Sequence, residues 1–173
     1  MKLLGEIKHS TFFPDDTDLP LGQLKPRFAV RAIVANDAGN IALLYAAVHK
    51  RHKLPGGGIE RDEGLQEALN RELLEEIGCQ ARITGELGMV VEYRDRWQQI
   101  QSSTCYRARQ YGPVHDPQFT EQERAEGFEV VWAKDIASAM QLLKSDKPHD
   151  YAGLFIQQRD LLFLQAAHAA ETA

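Results

Sequence analysis

The sequence predicts an α/β protein in which a mixed β-sheet is covered by helices on two sides. Apolar runs of strand length alternate along the chain with segments whose apolar residues recur at helical spacing, which is typical of a sheet layered between helices. The 173 residues, 43% of them hydrophobic, suffice to bury a core. The predicted strands are residues 28–35, 41–48, 80–91, 99–109 and 128–133, and the predicted helices are residues 65–77, 135–144 and 151–168.

The N-terminal part, residues 1–26, is predicted to hold a strand and an irregular segment, because residues 14–26 are rich in Asp, Pro and Gly. The strands at 28–35 and 41–48 follow it. The sequence Asn-Asp-Ala-Gly-Asn between them suits a hairpin turn. We therefore expect these two strands to pair in antiparallel fashion.

A Pro-Gly loop at residues 53–58 precedes the middle helix. Over residues 65–77 leucine and isoleucine recur every fourth residue, and Gly78 ends the pattern. The remaining strands and helices follow, with the last helix inside residues 147–173. By length we expect residues 1–173 to form one domain.

Composition excludes several classes of partner. Twenty basic and 25 acidic residues give a net charge of -5, which disfavours polymeric nucleic acid and anionic membranes. No stretch approaches the ~18 apolar residues of a membrane span, and the first residues lack a signal-peptide pattern. Cys79 and Cys105 have neither a disulfide nor a metal-ligand spacing, so we expect buried thiols in a cytoplasmic protein.

Three glutamates share one side of the middle helix. Glu72, Glu75 and Glu76 are related by i, i+3 and i+4, so we expect their carboxylates to converge, with Arg71 neutralising one. Oxygen ligands without a nearby His or Cys favour Mg²⁺, with Mn²⁺ as a substitute. The carbonyl of Gly57 could add a further oxygen. Magnesium commonly shares its ligands with substrate phosphates, so the pattern indicates a phosphorylated substrate.

Several other side chains have two interpretations. Arg51 and Lys53 either meet substrate phosphates or are ordinary surface charges. Arg31, inside an apolar strand, either points into the cleft towards substrate or pairs with an acid on the solvated face of the sheet. Tyr93 and Trp97 either stack on a base or pack locally.

Residues 57–79 carry a known pattern. Gly57 is followed after five residues by Glu63, and after seven more by Arg-Glu-Leu-Leu-Glu-Glu-Ile-Gly-Cys. This segment closely resembles the 23-residue signature of the Nudix hydrolase family. Only Cys79 departs from the family pattern, which prefers an aliphatic residue there, and a cysteine is small and apolar enough to pack in its place.

The resemblance implies an α/β/α sandwich with a loop-helix-loop metal site, and an enzyme that hydrolyses a diphosphate bond in a nucleoside diphosphate linked to another moiety. Glu72 sometimes acts as the base in such enzymes, and Glu63 and Arg71 brace the helix. By position, the resemblance assigns Gly57, Glu72, Glu75 and Glu76 to Mg²⁺, and we expect Arg71, Glu72, Glu75 and Glu126 to act in catalysis.

The expectation for Glu126 rests on relatives that recruit a further glutamate from a later loop. Glu126 lies in an acidic cluster just before the strand at 128–133. The alternative is a polar, capped turn. The C-terminal helix carries more leucine and phenylalanine than one core-facing stripe requires, which indicates either core or a homodimer interface. Because relatives often dimerise, we expect a homodimer.

Three functions remain open at this stage. The first is an active hydrolase, acting on a small nucleotide such as a nucleoside triphosphate or an oxidised nucleotide, with a sugar nucleotide or ADP-ribose as the alternative. The second is a non-catalytic nucleotide sensor, which would be expected to lose a signature acid. The third is an isomerase of isopentenyl diphosphate, but the sequence around Cys105 lacks the motif such an enzyme needs.

Overall fold

The computed structural model describes residues 1–171, so the last two residues of the predicted C-terminal segment lie outside it. The strands are β1 (Leu3–Ile7), β2 (Lys25–Ala35), β3 (Ile41–Ala46), β4 (Arg51–Lys53), β5 (Gln80–Arg94), β6 (Gln99–Tyr111) and β7 (Phe128–Ala133). The α-helices are α1 (Leu65–Ile77), α2 (Glu121–Ala125), α3 (Ile136–Ser145) and α4 (Tyr151–Glu171).

Every predicted strand and helix is present, and α1 and β7 have the predicted bounds. Two elements were not predicted. The three-residue strand β4 is too short to show an alternating pattern, and the five-residue helix α2 lies in a polar stretch that resembles a turn. The third strand ends at Ala46, before its predicted end, because a turn follows in which Lys50 has φ of 49°.

The seven strands form one mixed sheet in the order β1-β5-β6-β2-β3-β4, with β7 paired to β3. Strand β2 runs parallel to β6 along its whole length, and β5 and β6 form a long antiparallel pair. The predicted antiparallel pairing of β2 with β3 is confirmed, but it is limited to Ala35 and Ile41.

The loop before α1 fills the edge of β2 that β3 leaves open. The amide of Val30 donates to the carbonyl of Gly57 over 2.9 Å, and the amide of Ala32 donates to the carbonyl of Pro55 over 3.1 Å. Unpaired backbone groups at a buried sheet edge are costly, so these hydrogen bonds fix the loop against β2. The Pro-Gly loop is therefore held as firmly as a strand.

Two separate cores lie on the two faces of the sheet, which confirms the α/β/α sandwich. Alternate residues of β2 point to opposite faces, so Val30 and Val34 pack with α1 while Ile33 packs with α3 and α4. Helix α1 contributes Leu69 and Leu73, both fully buried. The hydrophobic face of α1 thus directs its acidic face towards the Pro-Gly loop.

The apolar residues of α4 pack in the hydrophobic core. Phe155 and Phe163 are fully buried, and Leu161 and Leu162 pack against the same cluster. The surplus of apolar residues in this helix is thus explained without a partner, and the homodimer remains a prediction. No helix within residues 1–171 is long and apolar enough to cross a membrane.

The packing of α1 gives a direct test with two neighbouring leucines. Leu73 has no exposed surface, whereas Leu74 is 37% exposed. We expect Leu73→Ala to lower the free energy of unfolding by about 2–5 kcal/mol, because it leaves a cavity in the core. Leu74→Ala should change it by less than about 1 kcal/mol. Urea unfolding of both variants measures the difference, and equal losses would contradict this orientation of α1.

Candidate active site

Arg71 is the centre of the polar contacts on α1. Its Nε and Nη2 atoms donate to the two carboxylate oxygens of Glu63 over 2.8 and 3.0 Å. Its Nη1 atom donates to Glu72 over 2.8 Å and lies 3.5 Å from Glu75. Nη2 also donates to the carbonyl of Gly58 over 3.1 Å. One guanidinium thus joins the helix to the loop before it, and the predicted bracing pair is in contact.

This arrangement shifts two pKa values. Hydrogen bonds from Arg71 lower the pKa of Glu63 to about 2. The same hydrogen bonds raise the pKa of Arg71, and those to Glu72 add to the rise. Both members of the pair are therefore ionised at neutral pH, and the arginine keeps the charge that holds Glu72 in place.

Glu72 lies directly against the glycine loop. A Cβ atom added to Gly57 would lie 2.0 Å from the Oε1 atom of Glu72, which is far inside contact distance. A Cβ atom on Gly56 would lie 2.3 Å from the carbonyl oxygen of Val30, and Gly56 has φ of +124°. Glycine is thus required at both positions, at one by the carboxylate and at the other by the backbone of β2.

Glu76 is buried and bound by a different part of the loop. Only 3% of its surface is exposed. Its Oε1 atom accepts a hydrogen bond from Lys53 Nζ over 2.7 Å, and its Oε2 atom accepts one from the amide of Gly56 over 2.5 Å. Burial raises the pKa of Glu76, and Lys53 and the Gly56 amide oppose that rise.

Of the three signature glutamates of α1, two share one cationic partner and the third has another. Glu72 and Glu75 turn to Arg71, whereas Glu76 turns to Lys53. Within the described part of the chain, no group of three or more His, Cys, Asp or Glu side chains is arranged to hold a metal ion. Each of the three carboxylates is paired with a cationic side chain.

The donor set nevertheless fits a hard divalent cation by its chemistry. It consists of carboxylate oxygens and the carbonyl of Gly57, with no sulfur or imidazole among them. The space that Gly57 leaves beside Glu72 brings that carboxylate against the loop backbone. Magnesium, or manganese as its substitute, is the ion that such oxygens prefer.

Two predicted residues have their side-chain partners outside this site. Arg51 pairs with Asp150, at the start of the C-terminal helix. Glu126 lies 3.4 Å from His49 and accepts a hydrogen bond from Gln122 over 2.8 Å. None of these partners belongs to α1 or to the glycine loop. The order of residues along the chain could not indicate either pairing.

Arg31 and Lys53 instead line a cavity of about 330 Å³ on the α4 side of the sheet. Trp97, which is 49% exposed, lies at the same cavity. Tyr93 does not line it, because its hydroxyl donates to Glu6 over 2.6 Å elsewhere. The cavity is also lined by three further arginines, which the sequence analysis did not single out. They are Arg27, Arg94 and Arg159.

A buried network of charges forms the wall behind these arginines. Glu92 is fully buried and accepts hydrogen bonds from Arg94 over 2.5 Å and from Gln101 over 2.7 Å. Burial alone would raise the pKa of Glu92, but Arg159 and Arg94 outweigh it and hold the pKa below its usual value. The charged pair Glu92 and Arg94, two residues apart in a strand, was the signal available in the sequence.

The network also reaches the glycine loop. Arg159 donates to Asp160 Oδ1 over 2.7 Å, and Asp160 Oδ2 accepts a hydrogen bond from the amide of Leu54 over 2.9 Å. Leu54 is the residue that begins the turn into the loop. Arg159 and Asp160, which are adjacent in α4, thus fix the loop from the α4 side.

Comparison with known proteins identifies this arrangement. A family model of the NUDIX domain matches residues 25–156, which include strands β2 to β7, the glycine loop and α1. The chain belongs to the Nudix family. This membership confirms the predicted class, a Nudix pyrophosphohydrolase, and agrees with the predicted signature at residues 57–79. No curated protein matches the chain.

Solved structures share the Nudix fold of this chain. The E. coli ORF135 protein is 23% identical, with a TM-score of 0.61 over 88% of this chain and 96% of that one. An ADP-ribose pyrophosphatase from Streptococcus suis is 16% identical, with a TM-score of 0.53 over 83% of this chain and 92% of that one. A UDP-X diphosphatase is 17% identical, with a TM-score of 0.56 over 93% and 77% of the two chains.

The pair of Arg71 and Glu63 predicts a pH dependence. The pKa of Glu63 is lowered in the fold, so the pair stabilises the protein above the ordinary glutamate pKa of 4.5 and loses that effect as the pH falls towards about 2. We expect Glu63→Gln to lower the melting temperature at pH 7, by an amount that shrinks below pH 4.5.

Glu60→Gln is the matched control, since Glu60 is an exposed glutamate in the same loop. Its melting temperature should follow that of the unmodified protein at every pH. Thermal unfolding followed by circular dichroism between pH 7 and pH 3.5 makes the comparison. A difference for Glu63→Gln that stayed constant over this range would contradict the assigned ion pair.

Proposed function

We propose that this Nudix protein hydrolyses a diphosphate bond in a small molecule of the nucleoside-diphosphate type, with Mg²⁺ as its metal ion. The observation that carries the proposal is the bidentate contact of Arg71 with Glu63, which holds Glu72 against Gly57. Gly57 and Glu63 belong to the loop, whereas Arg71 and Glu72 belong to α1. Glu63 fixes Arg71, and Arg71 in turn fixes Glu72.

The metal would be held by the carbonyl of Gly57 and the carboxylates of Glu72, Glu75 and Glu76. When bound, it would neutralise charge that develops on the phosphoryl oxygens and lower the pKa of a water molecule. Mn²⁺ would serve as a substitute, because it prefers the same oxygen ligands.

The residues of the chain divide the remaining work. Glu72 is the proposed base, which accepts a proton from the attacking water. Arg71 is a positioning residue, because its hydrogen bond fixes the Glu72 carboxylate. Glu75 is 42% exposed and faces the solvent side of the same arginine, so it is free to turn towards an incoming ion. We keep Glu126 out of this scheme, because its contacts lie elsewhere.

A non-catalytic sensor is the second candidate, and the intact signature argues against it. Every acid of residues 57–79 is retained, and Arg71 binds Glu63 and Glu72 together. Among substrates, a nucleoside triphosphate or an oxidised nucleotide is favoured over a sugar nucleotide or ADP-ribose. The names of the similar structures do not decide, since one cleaves ADP-ribose and another is a UDP-X diphosphatase. A cytoplasmic location and a homodimer are also proposed.

The test is phosphate release, coupled to a phosphatase, from a panel of nucleoside triphosphates, oxidised nucleotides, ADP-ribose, sugar nucleotides and dinucleoside polyphosphates. We expect turnover of one class that depends on Mg²⁺. Glu75→Gln should reduce it about a hundredfold or more, since the metal supplies several kcal/mol of charge stabilisation. Glu75 is partly exposed, so this variant should keep the fold.

Cys79→Val is the control, because Cys79 is fully buried in the core beneath α1 and burial raises the pKa of its thiol to about 11. We assign it packing alone, so its turnover should stay near that of the unmodified protein. Full activity in Glu75→Gln, or loss of activity in folded Cys79→Val, would refute the assigned site. Nucleotide binding without any turnover would support the sensor instead.

A further inference from the structure

The cavity lined by the four arginines and Lys53 adjoins the glycine loop. Lys53 donates to Glu76 and also lines the cavity. A Cβ atom on Gly58 would lie 2.9 Å from the Nη2 atom of Arg27. The cavity therefore begins where the signature loop ends, so a molecule bound at that loop could extend into it.

The cavity carries more positive charge than its surroundings balance. Lys53, Arg94 and Arg159 each have a carboxylate within 4 Å. Arg27 and Arg31 have none among residues 1–171, and their hydrogen bonds go to the side chain of Gln101 and to the carbonyl of Val30, both neutral. Two guanidinium groups of the described residues thus have no carboxylate within 4 Å.

Several N–H groups of these arginines also lack an acceptor. Arg159 is 1% exposed, and neither its Nη1 nor its Nη2 atom has a hydrogen-bond partner in the described structure. The buried Nε atoms of Arg31 and Arg94 also lack a hydrogen-bond partner in the described structure. Buried donors without an acceptor are costly, so such a group indicates that an acceptor is supplied from outside the chain.

The electrostatics of the two unpaired arginines agree with this. Burial and the charge of Arg159 together lower the pKa of Arg31 to about 10, although Asp160, Glu76 and Glu92 oppose the shift. Burial also lowers the pKa of Arg27, with added repulsion from Arg94 and Arg159. An anion in the cavity would relieve both effects at once.

We propose that this cavity binds a terminal phosphoryl group, one beyond the diphosphate that is cleaved, so that the substrate is a nucleoside triphosphate rather than a nucleotide sugar. The inference rests on the proposed diphosphohydrolase function, because it assigns the part of the substrate that extends past the signature loop.

The chemistry of the cavity favours a phosphoryl group over the alternatives. A terminal phosphoryl group carries nearly two negative charges and three acceptor oxygens, which matches two unpaired guanidinium groups and several free N–H donors. A carboxylate brings one charge and two oxygens. A sugar brings hydroxyl groups and no charge, and would leave half-buried Arg27 and buried Arg31 without an ion-pair partner.

Calorimetric titration with non-hydrolysable nucleotides in Mg²⁺ tests the proposal. The probes are a guanosine triphosphate and a guanosine diphosphate with imido groups in place of the bridging oxygens. Because the base is the same in both, its contribution cancels in the ratio of the two dissociation constants. We expect the triphosphate to bind at least about tenfold more tightly than the diphosphate.

Arg31→Met should reduce that ratio towards one, while its melting temperature without nucleotide stays equal or rises, since the change removes an unpaired buried charge. Arg27→Met serves as a second variant should the first not fold. Arg109→Met is the matched control, because Arg109 lies on the exposed surface with Asp37 and its ratio should be unchanged.

Equal affinity for the two probes in the unmodified protein, or an unchanged ratio in Arg31→Met and Arg27→Met, would overturn the proposal. Failure of the two proposals can be told apart. Turnover of nucleotide sugars without preference for a triphosphate would remove the phosphoryl site and keep the hydrolase. An arginine-dependent triphosphate preference without turnover of any substrate would keep the phosphoryl site and remove the hydrolase.

Discussion

The site depends on the way the glycine loop completes the edge of β2. Strands β2 and β3 meet at one pair of residues and then separate, which leaves backbone groups of β2 in need of partners. The carbonyls of Pro55 and Gly57 supply them. Because the loop must follow a strand so closely, only glycine fits at residues 56 and 57. The same close approach brings the loop backbone against the acids of α1.

Balanced charge then holds these acids. Arg71 pairs with Glu63, Glu72 and Glu75, and Lys53 pairs with Glu76, so each of the three signature glutamates at the end of the helix has a cationic partner. Like charges three and four residues apart would otherwise weaken the helix. On the other side of the loop the cavity has more cationic side chains than carboxylates paired with them. A phosphorylated substrate would meet the proposed metal ion at the acidic region and the arginines at the basic one.

The sequence was sufficient wherever local pattern decides structure. The bounds of α1 and the glycine loop follow from the pattern of one short segment, and the resemblance of that segment to the Nudix signature implied the pairing of Arg71 with Glu63. It was insufficient where partners are far apart in the chain. That Lys53 binds Glu76, that Arg51 binds Asp150 and that Glu126 lies by His49 depend on how the layers meet. The arginines of the cavity come from β2, β5 and α4, and no periodicity relates them.

The parallel pairing of β2 with β6 has a consequence for the order of folding. β5 and β6 are neighbours in sequence and can pair early, whereas β2 must close a loop of more than sixty residues to reach β6. The glycine loop needs the edge of β2, and α1 lies inside the segment being closed. The hairpin can therefore form before the acids are brought to their loop, so a nascent chain would acquire much of its sheet before it acquires a competent site.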